Sequence, residues 1–353
     1  MVSPTSRSLR MFETIFHGSA DICTTNFSIR LSSKEHRTKM ETALKDHKIW
    51  VLAAIVLFFL PSAIFSQGRT GFRSVTIASE PSATVWIDGV RFGKTGKDGR
   101  LRITTVDAGS HTIRVRADGF KERSQSLSIA QKGEVKIDLV KTADEAELSF
   151  QEAERLTSVD REKSAAAYRK AIKARPNYPD AYLGLARVLL DSGDTEAATK
   201  AIASVRKLRP VFAEASAVEA RIQKEIGEET KAIAAFKRAV TEGKGFQPEA
   251  YAGLGLLYKE KAETAGGSGD FEDENIHHTE AAKYLRAALK QLSGAPDAII
   301  IYQLLGLIYE RQKKYADAIA LYEEFLRIFP DITEATAVRS FIVQLKKDMA
   351  PPE

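Results

Sequence analysis

Between residues 270 and 278 the chain gathers Asp270, Glu272, Asp273, Glu274, His277 and His278, its densest group of side chains able to hold a cation or move a proton. Carboxylates and imidazoles together are ligands for a divalent metal. Their spacing fits neither a calcium loop nor an H-E-x-x-H helix, and adjacent histidines point to different sides of a helix. The expected form is a flexible acidic loop inserted near Glu263 to His277, with no metal. Trp86 alternates out of phase with Val85 and Ile87, so it faces away from their core. An exposed tryptophan can stack on a sugar ring; packing under a loop or against a neighbouring domain is the preferred reading. His111, in phase with Ile113 and Val115, is expected to bond a backbone carbonyl. The single cysteine, Cys23, rules out an internal disulfide and a thiolate cluster. There is no nucleophile motif, phosphate loop or zinc pattern, so the chain is read as non-enzymatic, with no catalytic residue, cofactor or metal.

The elements that carry these residues divide by period. The 353 residues are 44% hydrophobic and 28% charged, a globular composition long enough for two or three domains. From about 72 to 141 apolar residues alternate: Val75 and Ile77, Val85 and Ile87, Leu101 and Ile103, Ile113 and Val115, Leu127 and Ile129, then Val135, Ile137 and Leu139. Pro81-Ser82, Asp88-Gly89, Lys97-Asp98-Gly99, Ala108-Gly109 and Asp118-Gly119 separate them. Short alternating strands with frequent turns predict a small antiparallel β-sandwich, which must close tightly or lean on a neighbour. From Thr142 helical spacing takes over, with self-similarity at 34 residues. One unit carries Tyr182, Leu185-Ala186, Leu189, Ala198, Ile202 and Pro210. Another carries Tyr302, Leu305-Gly306, Tyr309, Ala318, Tyr322, Phe325 and Pro330. Three less regular units bring the array to five, and residues 335–348 read as a capping helix with Phe341, Ile342 and Leu345 turned inward.

The first region resembles the PEGA family through Glu80-Pro81-Ser82-Ala83, Val85-Trp86-Ile87-Asp88-Gly89, Gly93-Lys94-Thr95, Gly109-Ser110-His111 and Gly119-Phe120. Ser82 stands where that pattern has its glycine. The resemblance implies a sandwich of bacterial and archaeal envelope proteins, without catalytic residues. The second region, at 142–348, resembles the tetratricopeptide repeat (TPR) family, which implies an all-α solenoid whose first helices line a concave groove. Carried over position by position, the groove includes Leu183, Arg187, Arg221, Lys224, Leu256, Lys259, Leu307 and Arg311. The five cations form either a basic stripe for an extended peptide with acidic groups or a solvated face neutralised by Asp191, Glu225 and Glu260.

Charge also divides. Residues 67–141 hold 14 basic and 8 acidic side chains, whereas 142–353 hold 30 and 34. The net +5 falls short of a nucleic-acid binder. Ahead of both regions, Lys45 and Lys48 precede the apolar run Ile49–Leu60, which Pro61 ends. This is a secretory pattern, with cleavage expected after Ser66; an uncleaved anchor over 49–65 is its rival. Met40 is the expected start of translation, leaving 1–39 as a start-site artefact or a disordered tail. The sum is an exported periplasmic or cell-envelope scaffold that binds a protein or extended peptide in the groove, with the sandwich docking at an envelope polymer or anionic membrane surface. The alternative is a cell-wall or carbohydrate binder using Trp86.

Overall fold

The computed structural model describes residues 71–349. Among the described residues seven strands come first: β1 (Arg73–Ala78), β2 (Thr84–Ile87), β3 (Val90–Lys94), β4 (Arg100–Val106), β5 (His111–Arg116), β6 (Arg123–Leu127) and β7 (Gly133–Lys136). They form a three-stranded sheet, β4-β1-β7, and a four-stranded sheet, β3-β2-β5-β6. The alternating residues meet between the sheets as expected: Val75, Ile77, Val85, Ile87, Ile103, Ile113, Val115, Leu127, Val135 and Ile137 form one buried cluster. One pair departs from the antiparallel expectation, because β7 runs parallel to β1, Val75 opposite Gly133. Ile129 also departs. It is 63% exposed beyond the end of β6, where the guanidinium of Arg73 donates to the carbonyls of Ser128, Ile129 and Gln131 and turns the chain away.

Two turns show how local sequence sets the sandwich. Asp88 and Gly89 both take positive φ, +50° and +82°, the conformation that lets a two-residue loop match the twist of the β2–β3 hairpin. Ser82 takes φ +60°, so it holds the left-handed backbone that the family pattern gives to glycine. Thr95 secures this corner. Its buried hydroxyl donates to the Glu80 carbonyl at 2.6 Å and accepts from the Ala83 N–H at 2.8 Å.

Eleven helices follow among the described residues: α1 (Glu145–Leu156), α2 (Arg161–Ala174), α3 (Pro179–Asp191), α4 (Thr195–Leu208), α5 (Ala213–Glu225), α6 (Glu229–Glu242), α7 (Pro248–Gly267), α8 (Phe271–Leu292), α9 (Ala298–Arg311), α10 (Tyr315–Ile328) and α11 (Ala335–Asp348). Each packs on its neighbours in the chain, and α3 also touches α5, and α5 touches α7. That is the contact pattern of a solenoid. The helix starts follow from sequence. Asp144, Asp160, Asp194 and Asp270 cap α1, α2, α4 and α8 through their side chains, and Pro179 and Pro248 open α3 and α7. In α11 the inward stripe is Ala335, Val338, Ile342 and Leu345. Phe341 lies off that stripe and is 50% exposed, contrary to expectation.

The inserted acidic loop is also corrected. Residues 263–277 instead lengthen both helices of the fourth pair, to 20 and 22 residues against 13 or 14 in the others near it, with a tight turn at Ser268 and Gly269. Asp270 caps the second helix by accepting from the Asp273 N–H at 3.1 Å, and Gly266 leaves the space that Glu274 fills. Helical spacing of Lys259 with Glu263, and that cap, outweigh the glycine-rich tip.

Thr95→Val keeps the volume and removes the hydroxyl that bonds both groups, leaving the Glu80 carbonyl and Ala83 N–H only their long 3.3 Å bond to each other. It should lower stability by about 1–3 kcal/mol, read as a lower urea midpoint at an unchanged slope.

Candidate functional site

The face that the repeat pattern assigns to the groove runs along α3, α5, α7 and α9. Its cations are paired. Arg187 meets Glu249 at 2.5 Å, reaching past α5 from one repeat to the next but one. Arg221 meets Asp191 at 2.7 Å and Glu249 at 3.9 Å. Lys224 meets Glu260 at 2.6 Å, Lys259 meets Glu263 at 2.5 Å, and Arg311 meets Glu274 at 2.5 Å. The stripe of positive charge is therefore a ladder of ion pairs, in which Asp191 and Glu260 act as the neutralising neighbours. Most of these side chains are about a third or more exposed, so each such pair is worth about 0–1 kcal/mol.

The apolar positions differ from one another. Leu183 is 6% exposed and belongs to the cluster joining the first repeats, so it offers no surface. Its burial follows from packing among neighbouring helices rather than facing the groove. Leu256 is half-buried. Leu307 is 50% exposed and Ile300, two turns earlier on the same face of α9, is 42% exposed. These two are the apolar groups the groove face presents most openly at its C-terminal end.

The carboxylates and histidines of residues 270–278 find structural work. Glu274 and His278 are buried, the Arg311 guanidinium bonds Glu274, and the His278 Nε2 lies 3.6 Å from the same carboxylate. The hydrogen bond from Arg311 holds Glu274 below the ordinary carboxylate range. Burial pushes His278 below the ordinary histidine range, against the pull of Glu274 and Glu263 and with the push of Lys259 and Arg311. His277 instead lies beside the Tyr258 ring at 6.1 Å between centroids. It lines a pocket of about 500 Å³ with Lys224, Leu257, Glu260, Lys261 and Asp270. Among the described residues no three His, Cys, Asp or Glu side chains converge on a point that would hold a metal.

In the sandwich, Trp86 faces outward as its phase requires, but its ring is covered. The Arg114 guanidinium lies 4.3 Å from the ring centroid and that of Arg116 lies 5.4 Å away. His111 bonds the Asp107 carbonyl at 3.0 Å and the Asp88 carboxylate at 2.6 Å, and thereby ties the β5 start to the β2–β3 turn. Arg116 itself was not singled out by the sequence. Its side chain is 10% exposed and pairs with Glu122 and Glu154. Burial opposes its charge, but the two carboxylates outweigh burial and raise its pKa above the usual range. Its β5 phase marks it as outward-facing; nothing local points to Glu154, 38 residues further on.

Because burial lowers the affinity of His278 for a proton in the fold, the unfolded chain takes one up first as pH falls. Stability should therefore drop below about pH 6.5. His278→Gln should flatten that slope when urea midpoints are compared at pH 7.5 and 5.5. Glu274 does not mask the effect, since its depressed carboxyl stays ionised across that window.

Residues 72–143 match the PEGA domain, and residues 160–222 and 275–331 match tetratricopeptide repeat families. No curated protein matches the sequence. Similar solved structures include the MamA protein, at 22% identity over 60% of this chain and 100% of that one, with a TM-score of 0.37. A thermophilic TPR protein of Thermus thermophilus shares 16% identity over 57% of this chain and 99% of its own, with a TM-score of 0.41. YrrB, a TPR protein with an unusual peptide-binding site, shares 19% over 56% and 93%, with a TM-score of 0.34. The chain carries a PEGA domain followed by tetratricopeptide repeats.

Proposed function

We propose that the protein is an exported, non-enzymatic scaffold of a bacterial cell envelope that binds a protein or extended peptide along the groove face of its repeats. The observation that supports this reading is the pair Ile300 and Leu307. Both are large, apolar and open on an ordered helix that is anchored in the core through Ile301, Tyr302, Leu305 and Ile308. A rigid surface that already displays its side chains spares a partner part of the ordering cost of binding. The paired ladder beside it makes the recognition apolar at its centre and polar at its rim, the usual anatomy of an interface. The PEGA domain, with its excess of basic side chains, docks at the envelope. The sugar-binding alternative gains nothing from Trp86, whose ring is occupied by arginine.

A photo-crosslinking residue at Leu307 should capture a discrete protein adduct in cells, whereas the same residue at exposed Lys237 on α6 should not. Equal labelling at both positions, or at neither, would overturn the groove reading. Export rests on Lys45, Lys48 and the run 49–60, which lie outside the described residues. N-terminal sequencing of the envelope fraction should begin at Gln67; a chain still beginning at Met1 contradicts both the Met40 start and the cleavage.

A further inference from the structure

The PEGA sandwich meets the helical array at two places far apart in sequence. At α1, the Arg116 guanidinium lies between two rings, 5.4 Å from the Trp86 centroid and 4.7 Å from that of Phe150, while pairing with Glu122 and Glu154. Beside it, Gln151 donates to the Phe120 carbonyl at 2.7 Å and accepts from the Gly119 N–H at 2.8 Å. This joint is a buried cation with two carboxylates, two aromatic faces and a side-chain amide in both hydrogen-bonding roles.

The second joint stands at the ends of α8 and α10. The Ser293 hydroxyl donates to Asp107, and the Arg327 guanidinium lies 5.4 Å from the Phe72 ring. Val90 belongs to the apolar cluster of Leu292, Ala295 and Phe325, and Phe92 packs on both that cluster and the sandwich core. Gly294, with φ +79°, brings its backbone so close that a Cβ there would lie 2.9 Å from the Thr105 hydroxyl. In chain order α3 to α6 lie between the two joints, so the sandwich closes the array into a loop.

A solenoid bends by the sum of small rotations between neighbours, and no single interface fixes its curvature. A body fastened to the first pair and to the fourth and fifth removes that freedom. The ladder contains a contact that depends on it: Arg187 reaches Glu249 two repeats away, and even a small straightening would separate them. The joints are unequal. The first holds a buried charge that cannot leave without losing two partners, whereas the second uses one hydroxyl–carboxylate bond, one ring–cation contact and the rim of an apolar cluster.

We propose that the PEGA sandwich is a strap, fixed at α1 and releasable at the α8–α10 end, that sets the curvature of the repeats and so holds the Arg187–Glu249 contact together.

The test uses the full chain with Cys23→Ser and spin labels at exposed Arg169 on α2 and Ala320 on α10. Pulsed electron resonance should give one narrow distance for the parent. Thr105→Arg, which drives volume into the second joint, should add a longer and broader population. Asp107→Ala with Phe72→Ala and Val90→Ala takes away the hydroxyl bond, the ring contact and the apolar insert of that joint without adding volume, and should do the same if Thr105→Arg disturbs the sandwich itself. Glu249→Ala should leave the distance unchanged, because the ladder follows the curvature. A parent distribution that is already broad, or Asp107→Ala/Phe72→Ala/Val90→Ala indistinguishable from a narrow parent in a chain that still unfolds cooperatively, would overturn the strap.

Discussion

A two-helix hairpin cannot bury its own apolar stripe, and the whole helical region is organised by where the surplus goes. The answer is a close approach at glycine. The Tyr168 ring of α2 lies over Gly184 of α3, and the Phe236 ring of α6 lies over Gly253 of α7, so both seal one pair against the next. Tyr322 of α10 lies over Gly306 of α9, and Leu285 of α8 over Gly255 of α7, sealing helices within a pair. At each of these sites a Cβ would collide with the ring or branch above it. Large side chain on absent side chain is how cores reach crystal-like density without voids, and here it recurs at four places along the stack.

Once the apolar groups are spent on stacking, the groove face is left with what remains: charged residues and a few open aliphatics. Curvature brings first helices close enough for their charges to reach across repeats, as Arg221 with Asp191 and Lys224 with Glu260 show. Such pairs contribute little to stability because they stay wet. Their consequence is for recognition. A partner carboxylate approaching Arg187 or Arg221 must displace Glu249 or Asp191, and gains only the difference between two similar contacts. An apolar anchor on Leu307 displaces only water. Shape and apolar contact therefore dominate over the electrostatics that a bare count of lysines and arginines suggests.

What the sequence discloses follows the range of the interaction. The sandwich core, from Val75 to Ile137, is legible because alternation is a property of neighbours in the chain. The repeats are legible because one pattern recurs and each occurrence checks the others. The parallel pairing of β1 with β7 is not, since it is decided by a partner some 58 residues away. The lengthened fourth pair was hidden for a different reason: Gly266, Gly267 and Gly269 carry loop character, while the cap at Asp270 and the seat for Glu274 exist only once two helices face each other. Among the residues assigned to the groove, Leu183 is buried rather than open, because periodicity gives a face and not its depth. Arg116 gave no signal, as a strand arginine in outward phase is ordinary until Phe150 and Glu154 arrive beside it.

The size of the sandwich supplies the remaining constraint. A domain of about 70 residues buries too small a share of its surface to be comfortable alone. This one borrows: Val90 counts with the helical residues around Leu292 and Phe325 rather than with its own sheets, and Phe92 serves both cores. Stability is thereby shared between domains, and the borrowing occurs at the joint with the weaker polar contacts. Any ligand that engages the sandwich near β3 or the end of β4 must compete with that shared cluster. Binding there and the curvature of the repeats are then linked, because whatever favours the free sandwich surface also favours the opened array, by the same amount in both directions.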